Sequence, residues 1–494
     1  LKRENCLPAM GLCLLCAGLV LLIATSSSPL YATNFWTDTN IYFTIGRGMR
    51  HGLVPYRDLF DHKGPLLYLI YALGALISEK SFLGVFCLQV LSLCATLYLT
   101  YRTVQEMAGA DAVLSIPLMA AASVITTAYN QGGSAEEFCL PALVLLLFLS
   151  VREMIRGESS GDVLFGAAAG WIFWIKYTVI GFAAGAGVCL LLARARRQGL
   201  RSMGRGIADM ALGFLLISLL PVVYLWANHS LRLGMEVYFV QNLTGYSGEA
   251  MTLTGHLYNA LAYLRTQGAI NPGILVLAAL GIVLCLVRAV ICRTRGWLFQ
   301  ALLMPAGAGL LLLTVYWGEM AHPYYALVFA GLVPAGLGAV CILAEWLWHL
   351  SQKPTVLAAL SLVLAIPIVP LAMHFCLSWP LAGVKAGDMP QTILAHEMEA
   401  EGGGTLLDLS GHDQGFYLAS GTLPVCRYFA DNNLNTEEKQ AALMGYLESG
   451  KTEFVISRFR DPGQLYQPVM TVSGFFDLMD LREYTLYRRV EDGH

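Results

Sequence analysis

The chain has 494 residues, 56% of them hydrophobic and 13% charged, with a mean hydropathy of +0.59 and a net charge of −3. Soluble globular chains carry about 25% charged residues, so this composition excludes an ordinary soluble enzyme. Residues 1–375 hold 22 Lys/Arg against 17 Asp/Glu, whereas residues 376–494 hold 9 against 17. The chain reads as a polytopic α-helical membrane protein: an apolar, slightly basic body, residues 1–375, precedes a small acidic α/β domain, residues 376–494. No basic stripe or Arg/Lys-aromatic module points to nucleic acid. Most of the 12 cysteines lie in apolar runs, where Cys acts as a small hydrophobe, so neither a disulfide framework nor a metal site is read.

The first apolar run covers residues 7 to about 27 and follows Lys2 and Arg3. It exceeds the roughly 7–15-residue core of a signal peptide and predicts an uncleaved span with a cytoplasmic amino terminus. The next run, 65–78, is too short to cross and predicts an interfacial helix on the outer surface. Spans follow near 82–101, 112–128, 138–151, 206–227, 272–292, 297–317, 324–345 and 355–375. The stretch 163–192 is interrupted by Lys176 and flanked by Arg152 and Arg156 on one side and Arg194 to Arg205 on the other. With both clusters cytoplasmic, it must be a hairpin of two short helices with Lys176 near its outer tip. Keeping 65–78 outside leaves Arg102, Arg152, Arg194–Arg205, Arg293–Arg295 and Lys353 all inside. About eleven spans result, with the tail outside.

A linker near 376–390 carries Pro380, Gly383, Gly387 and Pro390. Beyond it, 405–409 and 454–457 read as buried strands, 436–447 as a helix, and 484–490 as a closing edge strand. No glycine-rich phosphate loop follows either central strand, so no nucleotide site is expected.

Polar residues concentrate on the outer side. The first loop holds Asp38, Arg47, Arg50, His51, Arg57, Asp58, Asp61, His62 and Lys63 within 26 residues. Asp38, between Trp36 and Tyr42, is a candidate general base at the lipid–water boundary; read alone, a solvated acid or a partner of Arg47 is the plainer account. In Pro55-Tyr56-Arg57-Asp58-Leu59-Phe60-Asp61-His62-Lys63-Gly64-Pro65, Arg57 and Lys63 are candidates for holding a lipid phosphate, with His62 beside the substrate. The alternative is a set of interface residues neutralised locally by Asp58 and Asp61. Glu136 and Glu137 follow Asn130-Gln131-Gly132-Gly133-Ser134. Paired carboxylates bind a sugar or a metal, or serve as an acid/base pair; helix N-terminal acids are the plainer account. Lys176 joins the phosphate candidates. In Glu319-Met320-Ala321-His322-Pro323-Tyr324-Tyr325, the imidazole and two phenols either line a sugar cleft or form an aromatic belt. Asn242-Leu243-Thr244 and Asn228-His229-Ser230 fit the glycosylation pattern, which carries little weight in a chain read as bacterial.

In order, these motifs resemble the GT-C membrane glycosyltransferases of the protein-mannosyltransferase and lipid A aminoarabinose-transferase type. The resemblance runs from Asp38 after the first span, through Gly52…Pro55-Tyr56-Arg57-Asp58 and Lys63-Gly64-Pro65 before the juxtamembrane helix, to Gln131…Glu136-Glu137, the Lys176 hairpin and His322…Tyr325…Pro334. In the tail, Tyr417…Pro424…Arg427-Tyr428 and Tyr484…Tyr487-Arg488-Arg489 resemble the small outer domains of bacterial members. It implies a sugar donor carried on polyprenyl phosphate, transfer with inversion outside the cell membrane, Asp38 as base and Lys63 at the donor phosphate. The acceptor is a glycolipid, a cell-wall polymer or a protein. Two departures stand out: Asp38-Thr39 where members often have Asp-Glu, and Lys63-Gly64-Pro65 where they have Lys-Pro-Pro, which points to a different subfamily and donor. No cofactor is called for with certainty, and a divalent metal stays open without support from the sequence. The rival readings are a transporter of lipid-linked sugars, which favours repeated halves and midplane charges, and a non-catalytic membrane scaffold.

Overall fold

The computed structural model describes residues 6–108, 112–157, 159, 161–246, 252–318, 321–349, 354–430, 436–477 and 480–490. Lys2, Arg3, Glu319 and Lys353 lie outside the described residues. The body begins with α1 (Cys6–Ala24), α2 (Thr37–Arg50) and α3 (Pro65–Ile77). It continues through α4 (Leu83–Ala108), α5 (Ser115–Val124), α6 (Ala135–Arg156), α7 (Asp162–Ile175), α8 (Gly181–Gln198) and α9 (Leu200–Ala227). A short α10 (Leu231–Met235) runs into a π-helical segment (Glu236–Tyr246). The remaining helices are α11 (Leu253–Ile270), α12 (Pro272–Cys292), α13 (Trp297–Val315), α14 (Val333–Trp348), α15 (Pro354–Ala365) and α16 (Ile368–Phe375).

Among the described residues, nine helical segments are long and apolar enough to cross a bilayer. Helices α5 and α7, with 10 and 14 residues, fall short of that length; an ordinary span takes about 20. The run near 112–128 is thus a short helix followed by a turn that Thr126 caps, its hydroxyl accepting from the Ala128 N–H. The stretch 163–192 is the expected hairpin, α7 and α8 joined through Lys176 and a 3₁₀ turn. Its two arms pack on α9 and α13. At Gly213 a side chain would strike the Val163 carbonyl, so the backbones of α7 and α9 approach as small residues allow in membranes. The stretch 228–271, between the runs 206–227 and 272–292, is mostly helical in its described residues.

Polar groups separate to the two ends of the bundle. Helix α6 has 22 residues, roughly 33 Å at 1.5 Å per residue, with Glu136 at its start and Arg156 at its end. Near the far end Arg102 and Arg152 both lie over the Phe148 ring, and Arg194 binds Glu153 and Asp162. Helix α3 lies at the opposite end, its Tyr71 hydroxyl donating to the Gly133 carbonyl just before α6.

The linker is folded rather than free. Cys376, Leu381 and Met389 bury themselves against Tyr31 and Phe35. The terminal domain contains α17 (Pro390–Ala400), β1 (Leu406–Leu409), α18 (Phe416–Ala419), α19 (Glu437–Glu448), β2 (Phe454–Ser457), β3 (Tyr466–Asp477) and β4 (Asp480–Arg489). Its sheet runs β1-β2-β4-β3, with β1 and β2 parallel and the other pairs antiparallel. The segment 484–490 is therefore not an edge strand, because β4 lies inside the sheet and β3 closes it. Pro468 and Gly474 weaken the strand signal of β3, and an edge is where a strand tolerates a proline.

Candidate active site

The site is assembled around α2. Asn34 shapes its start, accepting from the Trp36 N–H at 2.9 Å and the Thr39 hydroxyl at 2.8 Å. Thr39 is thereby tied into a buried local bond. Asp38 stands in the first turn, where a helix dipole suits an acid. Its Oδ2 accepts from Tyr324 Oη at 3.2 Å and Tyr42 Oη at 3.4 Å. Arg47 is not its partner: the guanidinium donates to the Tyr417 carbonyl at 3.1 Å. Tyr324 meets the Trp36 ring edge-on at 5.1 Å and stacks under His322 at 5.3 Å. Burial lowers the His322 imidazole, against the opposing pull of Asp38.

The segment before α3 is held by its backbone. Tyr56, fully buried with φ +69°, donates its hydroxyl to the Lys63 carbonyl at 2.7 Å. Such a φ on a bulky residue costs about 1–3 kcal/mol and persists where surroundings over-determine it. The Lys63 N–H donates to Tyr68 Oη at 2.9 Å, and Tyr68 donates to Asp61 at 2.8 Å. Asn242 donates to the His62 carbonyl at 2.8 Å, so a residue dismissed as a glycosylation pattern helps to fix the site. At Gly64 a Cβ would run into the Trp174 and Ile175 carbonyls. This close approach to the hairpin accounts for glycine between Lys63 and Pro65.

His62 Nε2 lies 2.9 Å from Lys63 Nζ, and its Nδ1 faces Asp61 Oδ1 at 3.4 Å. Burial, reinforced by Lys63, pushes the imidazole down to about 3. It is neutral at working pH, so Nε2 accepts from the ammonium. For Asp61, burial alone would raise the carboxyl, but the Lys63 charge and hydrogen bonds from the Tyr68 hydroxyl and the His62 backbone N–H hold it below the usual carboxylate range.

From the hairpin tip, Lys176 makes a buried ion pair with Glu136 and sits 3.5 Å above the Tyr325 ring. Lys63, His62, Lys176 and Tyr325 border an apolar groove of about 290 Å³, walled by Tyr177, Ile180, Tyr238, Val315 and Trp317. Beyond Lys63 and His62, a smaller cavity is lined by Asp38, Ile41, Tyr42, Asp61 and His412. His412 comes from the terminal domain, and nothing in its local sequence sets it apart.

Asp38, His62, Lys63, Glu136, Lys176, His322, Tyr324 and Tyr325 thus converge. Two expected members do not. Arg57 is spent locally, with Nε and Nη2 on Asp58 at 2.9 and 2.7 Å and Nη1 on the Asn228 carbonyl at 3.0 Å, and it lines neither cavity. Glu137 is a structural acid near the start of α6: its N–H donates to the capping Ser134 hydroxyl, while its carboxylate accepts from Gly133 N, Gln89 and Tyr129. Among the described residues no group of three or more His, Cys, Asp and Glu is placed to hold a metal ion.

A family model described as dolichyl-phosphate-mannose-protein mannosyltransferase matches residues 62–226, which begin at His62 and include Lys63, Glu136 and Lys176. No curated protein matches the chain. Among solved structures it is similar to ArnT from Cupriavidus metallidurans bound to undecaprenyl phosphate. That match has 12% identity and a TM-score of 0.58, over 100% of this chain and 99% of that one. The same protein in the apo state gives 13% identity and a TM-score of 0.59, over 97% of both chains. The chain has the fold of the GT-C membrane glycosyltransferases.

Proposed function

We propose that this protein is an integral membrane glycosyltransferase that moves a sugar from a polyprenyl-phosphate carrier to an acceptor hydroxyl. The reaction takes place at the extracytoplasmic face of a bacterial cell membrane, with inversion. The observation that carries this reading is the shared wall of the two cavities. Lys63 borders both the head of an apolar groove and the cavity that holds Asp38. A prenyl chain suits the groove, and its phosphate suits the end where Lys63 and Lys176 stand. Undecaprenyl phosphate bound to ArnT, a protein of the same fold, supports the choice of lipid.

In this scheme the acceptor hydroxyl gives its proton to Asp38 as its oxygen bonds to the sugar C1. The bond from C1 to the phosphate oxygen breaks on the opposite side, and polyprenyl phosphate leaves against Lys63. A single displacement inverts C1. The base supplies about 10²–10⁴-fold, and preorganised cations at the departing phosphate add a contribution of similar kind. Tyr42 and Tyr324 hold the Asp38 carboxylate in place for the transfer. The aromatic wall of Trp36, His322 and Tyr324 offers an acceptor a face to pack on.

The test is purified protein in nanodiscs with a panel of labelled polyprenyl-phosphate pentoses and hexoses, scored for sugar release or transfer. Consumption of one donor with release of polyprenyl phosphate is expected. If every donor stays intact while lipid-linked sugar equilibrates across a liposome bilayer, the protein is a transporter instead.

A further inference from the structure

We propose that His412, carried by the terminal domain, is a ligand of the substrate phosphate, so that this domain completes the active site. The inference rests on the reading above that a lipid phosphate docks beside Lys63.

His412 lies in the loop between β1 and α18, which is clamped onto α2. Asp413 accepts from the Thr44 hydroxyl at 2.6 Å and from the Gly415 N–H at 2.8 Å, and its carbonyl accepts from Asn40 Nδ2 at 3.3 Å. Three residues on, Arg47 reaches the Tyr417 carbonyl. Asn40, Thr44 and Arg47 recur every three to four residues, one face of the helix that also carries Asp38. The loop turns its acid onto Thr44 and presents its histidine, half-buried, to the cavity with Asp38 and Lys63.

The donors around that cavity can be assigned one by one. His62 is neutral, its Nε2 accepting from Lys63 and its Nδ1 facing Asp61. Lys176 is paired with Glu136, and Arg57 is bound to Asp58 and the Asn228 carbonyl. Tyr42 points its hydroxyl at Asp38. A departing phosphate monoester carries close to two negative charges and several acceptor oxygens, more than Lys63 and a Lys176 shared with Glu136 saturate. Among the residues lining this cavity, His412 is the nitrogen donor that can join Lys63 on it.

The experiment compares binding of undecaprenyl phosphate and of undecaprenol, the same chain without phosphate, to the full-length protein in nanodiscs. Wild type should prefer the phosphate. His412→Ala should bind the phosphate about tenfold more weakly and bind the alcohol unchanged. His412→Gln, which keeps an N–H donor, should fall between them. If His412→Ala binds the phosphate as wild type does, or weakens both lipids equally, His412 is not a phosphate ligand. A wild-type protein that does not distinguish phosphate from alcohol would instead refute the lipid-phosphate reading, a separate result obtained before any variant is made.

Discussion

Lys63 Nζ and His62 Nε2 stand 2.9 Å apart, a contact two cations would not make. The pair exists because the buried imidazole stays neutral, taking its proton only at about 3, whereas an unfolded histidine takes it near 6.5. Between those values the unfolded state binds more protons, so this site's stability is complete above pH 6.5 and is lost as pH falls toward 3. Buried Asp408, raised to about 7 by burial and by Asp413, works in the opposite direction: its contribution is complete at low pH and is lost as pH rises through 7. The informative quantity is therefore the difference between wild type and His62→Gln. Thermal unfolding at pH 7.5 and 4.5 should show wild type losing up to about 3 kcal/mol more than the variant; equal losses would contradict a neutral His62. At this scale the sequence was half legible. Asp38 and Lys63 stood out by residue type and placement. Arg57 looked equivalent to Lys63, and only the fold shows Asp58 and the Asn228 carbonyl taking up its donors. His412 was invisible, because it is placed by the residue after it, Asp413, whose carbonyl meets Asn40 of α2 across 373 residues, and not by any local pattern.

At the scale of elements, the hairpin α7–α8 carries the argument. It was readable because a lysine interrupts a long apolar run flanked by arginines on both sides. Its tip is an ion pair, Lys176 with Glu136, with side chains 12% and 1% exposed. Breaking a buried pair from one side strands a charge and costs about 3–5 kcal/mol. Lys176→Ala should accordingly lower the melting temperature sharply, while Lys176→Met combined with Glu136→Gln should recover most of the stability but little of the activity. A double variant as active as wild type would make the pair purely structural. The π-helical segment and the edge strand β3 were not legible. In the first, Asn242 reaches the distant His62 carbonyl, a bond that no local pattern marks, and the strand pattern of the second is interrupted by Pro468 and Gly474.

For the molecule as a whole, the terminal domain is seated on the membrane body beside the candidate site. The Phe60 N–H donates to the Arg427 carbonyl and Arg427 donates to the Tyr56 carbonyl, both at 2.9 Å. The acidic tail was legible as a separate α/β unit from its charge, but its docking was not, since buried side chain-to-backbone bonds leave no periodic trace. If the site faces outward, single cysteines at exposed Lys80 and Glu448 in a cysteine-free background should react with an impermeant thiol reagent on intact cells, and one at Arg201 should not. Labelling in the reverse sense would turn the site toward the cytoplasm.

The central claim is that Asp38 takes the acceptor's proton in a transfer from a lipid phosphate. It is tested most directly by Asp38→Asn, which keeps the side chain's size but not its ability to accept that proton. With the donor identified, single-turnover sugar transfer by this variant should fall by at least ~10²-fold, while undecaprenyl phosphate binding and thermal stability match wild type. If Asp38→Asn transfers sugar at the wild-type rate while Glu136→Gln does not, the base is on α6 and the assignment of Asp38 is wrong.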